Sequence, residues 1–592
     1  MALCPLRTTG RAIVLLLSAV FCARALGNVN AADTTNAQDL WTGGIGGYNL
    51  TGAGVTVGVW EAVDGSAFAV RDTHQEFRRS DGSSRVTIID AYTPGSYSSH
   101  GTHVAATIGG AGVDAASRGM APGVLIRSYS STNATTEMAR DAALIDITNH
   151  SYGFRYGGWT DVSWNIPNGD GSFTAKTYKT WFHNTSIYYR DIYNEDPRYG
   201  RYDSTARSLD RVLHQNPRLL SFWSAGNERS YQYSNLQGDN KYVARFTSGF
   251  VPVNGIDLGG GHWLVSRDDY PSPGSEGYDT LASDKNAKNS IVVGSINDYL
   301  TDPHAAGSRS ISSFQSFGPT DDGRLGVMIV ANGESLRSAN NSSDTAYTSK
   351  SGTSMSSPNA AGTAALLLEH WRNRTGGYTP LSSSQKALLM HTATDVINNS
   401  QVGPDYRTGY GLINALDAAR FMDGALTGPE TSRQHHFVEG RINNGQTLTF
   451  DFVSLGGIIK ASLGWTDPEG PTTSGFDDRS FRALVNDLDL WISDSLGNIY
   501  RPWTLNPSNP SAPAVRTQRN DVDNFEQVYL DAGWIPLDQP LRLHIGIDGS
   551  LQGGGQDFSL LVSGVRIVPE PGAGAVLLII SLLIARRSRL TG

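Results

Sequence analysis

Val55-Thr56-Val57-Gly58-Val59-Trp60 is an apolar, β-branched run without a single charge. A short run of that kind reads as a buried strand. Outward from it, strand-like runs recur at 86–89, 125–129, 145–149, 219–224, 291–295 and 327–331. Helical stretches separate them: one opening at 103–109, then 135–143, 204–214 and a long one over 354–371. Leu209, Val212 and Leu213 share one face of the 204–214 helix, which Asn216-Pro217 ends. Strands separated by helices predict an α/β fold on a parallel sheet, spanning 55–425. Beyond about residue 425 the helical period fades. Short alternating runs at 447–452, 458–465, 488–493, 528–530, 541–547 and 558–562 predict an all-β sandwich, jelly-roll-like, over 426–567. Residues 26–54, glycine-rich at Gly43-Gly44-Ile45-Gly46-Gly47, read as a surface lead-in. The stretches 154–203 and 229–282 read as insertions, the first rich in Trp and Tyr.

The chain has 592 residues, a formal net charge of −9 and two cysteines. Charged residues make up 17% and hydrophobic ones 39%, which excludes a disordered polymer. The acidic balance argues against a nucleic-acid partner. Two cysteines make no disulfide framework, and Cys4 and Cys22 both lie in the first 25 residues. There, Arg7 and Arg11 precede an apolar run ending in Ala23-Arg24-Ala25, the layout of a cleaved secretory signal. The other end reads Val568-Pro569-Glu570-Pro571, an apolar run to Ala585, then Arg586-Arg587-Ser588-Arg589. Both apolar runs are short for a membrane span. Six of the basic residues sit in these two tags, so the remaining body is more acidic than the net charge indicates.

Three local patterns carry chemistry. Gly352-Thr353-Ser354-Met355-Ser356-Ser357-Pro358 precedes the long apolar helix. A serine there is either a helix cap or a nucleophile served by free backbone N–H groups and the helix dipole. His100-Gly101-Thr102-His103-Val104-Ala105 opens another helix and offers a general base. Ser224-Ala225-Gly226-Asn227-Glu228 follows a buried strand, and Asn227 there is either a turn residue or an amide aimed at a developing oxyanion.

In the order acid, His100, Asn227, Ser354, these motifs resemble the subtilisin-like serine peptidases, the subtilases. Asn149-His150-Ser151-Tyr152-Gly153, Ser313-Phe314 through Gly323-Arg324, and Gly409-Tyr410-Gly411-Leu412-Ile413-Asn414-Ala415 extend the resemblance over roughly 40–425. It implies a secreted endopeptidase with Ser354 as nucleophile, His100 as general base and Asn227 as oxyanion donor. Ser151, Tyr152, Gly153 and Ser224, Ala225, Gly226 would hold the substrate backbone. The chemistry needs no cofactor, and the partners are protein or peptide substrates. The acid is a departure from the family. Strand register favours Glu61, directly after Trp60; residue identity favours Asp64. A broken triad would leave a binding or adhesion protein. Two lesser departures are the absence of Lys-Pro-Asp after Gly323-Arg324 and the short 26–54 segment, which makes autocatalytic prodomain removal doubtful. The C-terminal tag resembles the PEP-CTERM sorting signal. That implies an exosortase-type partner, export to the surface or exterior of a Gram-negative cell, and membrane contact through the terminal signals alone. The 484–490 and 523–528 stretches resemble the β-sandwich that follows some bacterial subtilase domains. Asp467, Asp487 and Asp489 offer oxygens suited to structural Ca2+, and solvated turn acids account for them equally well.

Overall fold

The computed structural model describes residues 28–568, apart from positions 64, 66 and 253 and the stretches 154–156, 184–197, 232–240, 246–250, 267–276, 298–309, 396–401 and 473–480. Both terminal tags and Asp64 therefore lie outside the described residues, save Val568. Strands β1 (Thr56–Glu61), β2 (Val86–Ile88), β3 (Leu125–Ser130), β4 (Ile147–His150), β5 (Leu220–Ser224), β6 (Ile291–Ile296) and β7 (Ile329–Asn332) form one sheet. Its order is β7-β6-β5-β4-β1-β3-β2, and every pairing is parallel. The order reverses around β1, so the carboxyl ends of β1, β4 and β5 open on one edge. Ligands of α/β sheets gather at such a switch point.

Among the described residues seven helices accompany the sheet: α1 (Asn28–Thr34), α2 (Ser99–Gly109), α3 (Ala134–Asp141), α4 (Ser204–Gln215), α5 (Thr353–Thr375), α6 (Ser382–Thr392) and α7 (Ala415–Leu426). Small residues explain how α5 lies so close to its neighbours. Ala360, Ala361, Ala364 and Ala365 are buried. A Cβ on Gly362 would come within 2.7 Å of Met120 Cβ and 3.0 Å of the Ile108 carbonyl oxygen, so only glycine lets α5 approach α2. The helix ends at Gly376, whose φ of 66° suits glycine.

The segment expected as a surface lead-in at 26–54 lies at the surface over its glycine-rich stretch 42–49, but residues 28–41 join the core. Ala31, Ala32, Ala37 and Leu40 are fully buried, and Trp41 donates its indole N–H to the Met120 carbonyl at 2.7 Å. The many small polar residues that suggest solvent exposure pack α1 against α5; Thr35 reaches the Asn359 side chain at 3.4 Å. The insertions form a five-stranded sheet of their own, built from Gly157–Pro167, Phe173–His183, Lys241–Arg245, Ile256–Gly259 and His262–Ser266.

Past α7 two antiparallel sheets face each other. One contains His435–Asn443, Gly555–Ser563, Ile459–Trp465 and Phe525–Leu530; the other contains Asp487–Asp494, Pro540–Asp548 and Leu448–Ser454, edged by Ile499–Tyr500 and Val565–Ile567. Alternating residues of both sheets make one apolar cluster, including Trp465, Leu490, Val528, Ile545 and Phe558. Buried polar groups join these sheets to the α/β part. Lys288 Nζ lies 2.7 Å from Asp467 and 3.8 Å from Asp210, all three side chains fully buried. Lys386 Nζ donates to the Lys288 carbonyl at 2.7 Å.

Candidate active site

The register fixes the site before any side chain is considered. Trp60 pairs with His150, so Glu61 and Ser151 are the next residues on adjacent strands. Helix α2 then starts at Ser99, earlier than the sequence indicates, because the Ser98 hydroxyl accepts the Gly101 N–H at 2.9 Å. His100 thus falls in the first turn and turns its Nδ1 to Glu61, 2.9 Å from Oε2 and 3.0 Å from Oε1. Glu61 is 4% exposed, while the His100 side chain is one-third exposed. The longer acid fits because residue 101 is glycine; a Cβ there would sit 3.0 Å from Glu61 Cγ and 3.2 Å from Oε2. His103 belongs elsewhere. It is fully buried, its Nε2 meets the Leu336 carbonyl oxygen at 2.9 Å, and burial lowers its pKa to about 3.

Ser354 is the second residue of α5, after Gly352 with φ 153°. Its hydroxyl donates to the Ser151 carbonyl at 3.0 Å, and the Ser151 hydroxyl donates to the Ser354 carbonyl at 3.0 Å. The second bond has a cause in the sequence. Pro358 has no N–H, so the carbonyl four residues earlier has no helical partner; that carbonyl is Ser354's, and Ser151 satisfies it. Asn149 steadies Ser151 in turn, donating to its hydroxyl at 3.0 Å and accepting from Ser357 at 2.8 Å.

Asn227 comes to the same edge from β5 through Gly226, whose φ is 104°. Its Oδ1 accepts from the Thr353 N–H at 3.0 Å and the Thr353 hydroxyl at 3.1 Å. The amide lies against Gly352, where a Cβ would sit 3.6 Å from Nδ2 and 3.8 Å from Oδ1. Ser224 and Ala225 are buried beside it, and Ser151 is buried across the gap.

Several neighbours escape a reading of the sequence. Lys285, buried, donates to the Tyr152 carbonyl, pairs with Asp284 at 3.2 Å and lies 5.1 Å from the Trp223 ring centroid. Nothing in its local sequence marks it. Glu228, adjacent to Asn227, accepts from Ser316 at 2.9 Å; burial pushes its carboxyl up. Beneath the edge, Tyr129, Trp60, His150 and Trp223 stack across four strands with centroids 4.2, 5.1 and 4.2 Å apart. Burial, then the Lys285 charge, keeps His150 neutral.

Of the three acids expected to suit calcium, Asp487 and Asp489 are neighbours, and burial, then Asp489, raises the Asp487 carboxyl. Asp467 is taken by Lys288 and accepts the Val485 and Asn486 N–H groups at 2.9 and 2.7 Å. Asp489 meets Arg519 at 2.9 Å and Asp487 meets Arg482 at 3.4 Å. Among the described residues no group of three or more His, Cys, Asp or Glu side chains has an arrangement that would hold a metal. Lys288, Arg519 and Arg482 lie against these three carboxylates, while Asp487 Oδ1 and Asp489 Oδ1 are buried without a hydrogen-bond partner.

A family profile described as the subtilase family matches residues 52–411. Serine protease/ABC transporter B family protein tagA of Dictyostelium discoideum is 28% identical over 205 residues, covering 30% of this chain and 11% of that protein. The Extracellular serine protease of Serratia marcescens is 24% identical over 452 residues, covering 74% of this chain and 38% of that protein. The chain thus spans well under half the length of these curated relatives. Among solved structures, the self-cleaved protease domain of PatA is 20% identical, with 64% of this chain and 100% of that chain covered and a TM-score of 0.37.

Proposed function

This chain belongs to the subtilase family, and from that premise we propose that it is a serine endopeptidase that cuts peptide bonds through an acyl-enzyme on Ser354. The observation that carries the reading is the Glu61–His100 contact on the same sheet edge as Ser354 and Asn227. In this mechanism Ser354 Oγ attacks the scissile carbonyl while His100 Nε2 takes its proton. Glu61 holds the imidazole through Nδ1–H and stabilises the imidazolium. The oxyanion receives the Asn227 amide and the Ser354 backbone N–H. His100 returns the proton to the departing amine, and water then attacks the acyl-enzyme by the same route in reverse. Ser151–Gly153 and Ser224–Gly226 bind the substrate backbone as an added strand. No step requires a cofactor.

The N-terminal layout of basic residues, apolar run and small-residue cleavage site supports export of this enzyme, as does the name of the Serratia marcescens relative. The Pro-Glu-Pro tag supports sorting by exosortase-type machinery to a Gram-negative cell surface or beyond.

A fluorophosphonate probe on the purified mature protein, run beside casein hydrolysis, tests the peptidase reading. Labelling and proteolysis that both vanish in Ser354→Ala are expected. Labelling no higher than in Ser354→Ala, with casein intact, would return the chain to a binding role.

A further inference from the structure

Lys285 stands between the two segments proposed to hold the substrate backbone, yet it belongs to neither. It ends a single 3-10 turn, Ser283–Lys285, where its N–H donates to the Ala282 carbonyl at 2.9 Å. That turn is tied down on both sides. The Ser283 hydroxyl donates to Asp203 at 2.8 Å. Asn286 donates to the Arg201 carbonyl at 3.1 Å, and its own carbonyl accepts from Arg324 at 2.9 Å. A side chain leaving so firmly held a backbone has a defined reach.

The Lys285 side chain is 2% exposed, and Asp284 pairs with it at 3.2 Å, so its charge is balanced locally. Its other contacts are with the two segments. Nζ donates to the Tyr152 carbonyl, just past β4, and lies 5.1 Å from the ring centroid of Trp223, the residue before Ser224 on β5. Glycine makes the first approach possible. A Cβ on Gly153 would collide with Nζ and lie 2.8 Å from Asp284 Oδ2.

The direction of the Tyr152–Gly153 peptide decides what a substrate meets. In a trans peptide the C=O and the N–H point opposite ways. The Tyr152 carbonyl points at Lys285, so the Gly153 N–H points away from it. Gly153 is exposed, so an incoming carbonyl can reach that N–H. The Ser151 carbonyl faces Ser354 Oγ at 3.0 Å, and in an extended segment groups two residues apart share a side. Two residues span about 6.8 Å, so the substrate residue paired at Gly153 lies about two residues from the bond that Ser354 attacks. A carbonyl that accepts from an ammonium is polarised, and the polarisation carries across the peptide to make its N–H a stronger donor.

We infer that Lys285 is a positioning residue: by holding the Tyr152 carbonyl it aims and strengthens the Gly153 N–H for a substrate carbonyl about two residues from the cleaved bond. It acts through the Tyr152–Gly153 peptide and touches no reacting atom. The inference rests on the peptidase reading and deepens it.

Substrate length separates positioning from mere support. Peptides built on a casein sequence that the enzyme cleaves are lengthened from one to five residues on each side of the scissile bond in turn. In the unsubstituted enzyme kcat/KM is expected to rise at least tenfold as the chain passes the second residue on one side. In Lys285→Met that rise should shrink at least fivefold, while a fluorophosphonate without a peptide labels Ser354 at a rate within twofold of the unsubstituted one. Lys285→Met leaves Asp284 buried without its cation, so Lys285→Met combined with Asp284→Asn guards against a folding defect and should give the same result. An undiminished rise with length in either folded variant, or labelling that falls in step with hydrolysis, would overturn the inference. Failure of the unsubstituted protein to label would remove the peptidase reading instead. Calorimetry with the amides of hexa-alanine and di-alanine then decides. Lys285→Met should bind the longer peptide at least fivefold more weakly than the unsubstituted protein does, and the shorter one equally. Equal affinities for the longer peptide, or none measurable, would overturn the inference.

Discussion

Glu61 is 4% exposed and Asp467 is fully buried, and each stands at or just past the end of a strand. Glu61 meets His100, a partner whose ordinary pKa lies near neutrality and whose side chain is one-third open to solvent. Asp467 meets Lys288 at 2.7 Å and two backbone N–H groups, all sealed between the α/β part and the antiparallel sheets. Burial is common to both acids and so does not distinguish them. The partner and its access to water do. A carboxylate against an accessible imidazole is equipped to steady a moving proton. A carboxylate against a buried ammonium fixes two parts of the fold together.

The largest expected effect on the structural side comes from removing that ammonium. Lys288→Met leaves Asp467 and Asp210 buried without their cation, which costs about 3–5 kcal/mol. Urea unfolding should show the loss, while kcat/KM of the remaining folded protein at 25 °C stays near the unsubstituted value. A matching fall in kcat/KM would mean that the two regions are not as separate as the geometry indicates.

On the site side, Asn227→Ala should lower kcat by about 10²–10³-fold with KM little changed, the range measured on another subtilase. Equal turnover in steady-state assays would remove Asn227 from the oxyanion site. Ser151→Ala is smaller. It releases the Ser354 carbonyl that Pro358 leaves without a helical partner, a bond worth about 0.5–1.5 kcal/mol. A fall in kcat of about two- to tenfold is expected, and Pro358→Ala combined with it should restore part of the loss.

How much of this is legible in the sequence varies with the range of the contacts. The strand at 55–60, the long helix at 354–371 and the alternating runs past 425 are readable, because periodicity and β-branching act over a few residues. The buried α1 is not. Its Asn, Ala and Asp residues look solvated until α5, more than 300 residues away, packs on them. Strand register favours Glu61, yet the reason it fits, the missing Cβ at Gly101, emerges only once α2 is docked. The site contacts of Lys285, to Tyr152 just past β4 and to Trp223 on β5, are made with residues far from it in sequence. Nothing near Asp467 in the sequence announces its ion-pair partner, Lys288, which lies far upstream.

A further expected effect, away from the site, is a pH profile. Burial, then the neighbouring Asp489, pushes Asp487 up to about 7 from 3.8. Between those values the folded state binds more protons than the unfolded chain, so its contribution to stability falls as pH rises. Burial lowers Lys386 to about 7 from 10.5. Between 7 and 10.5 the unfolded chain binds more protons, so stability rises with pH. Calorimetric Tm should therefore dip near neutrality. Asp487→Asn should flatten the acid limb and Lys386→Met the alkaline one.

The proposed mechanism turns on Glu61 as the acid behind His100. Peptide hydrolysis by Glu61→Ala and Asp64→Ala, each checked for folding by its unfolding transition, tests it most directly. A loss of about 10⁴-fold in kcat for Glu61→Ala is expected, with Asp64→Ala within about threefold of the unsubstituted enzyme. Near-full activity in Glu61→Ala together with a collapse in Asp64→Ala would contradict it.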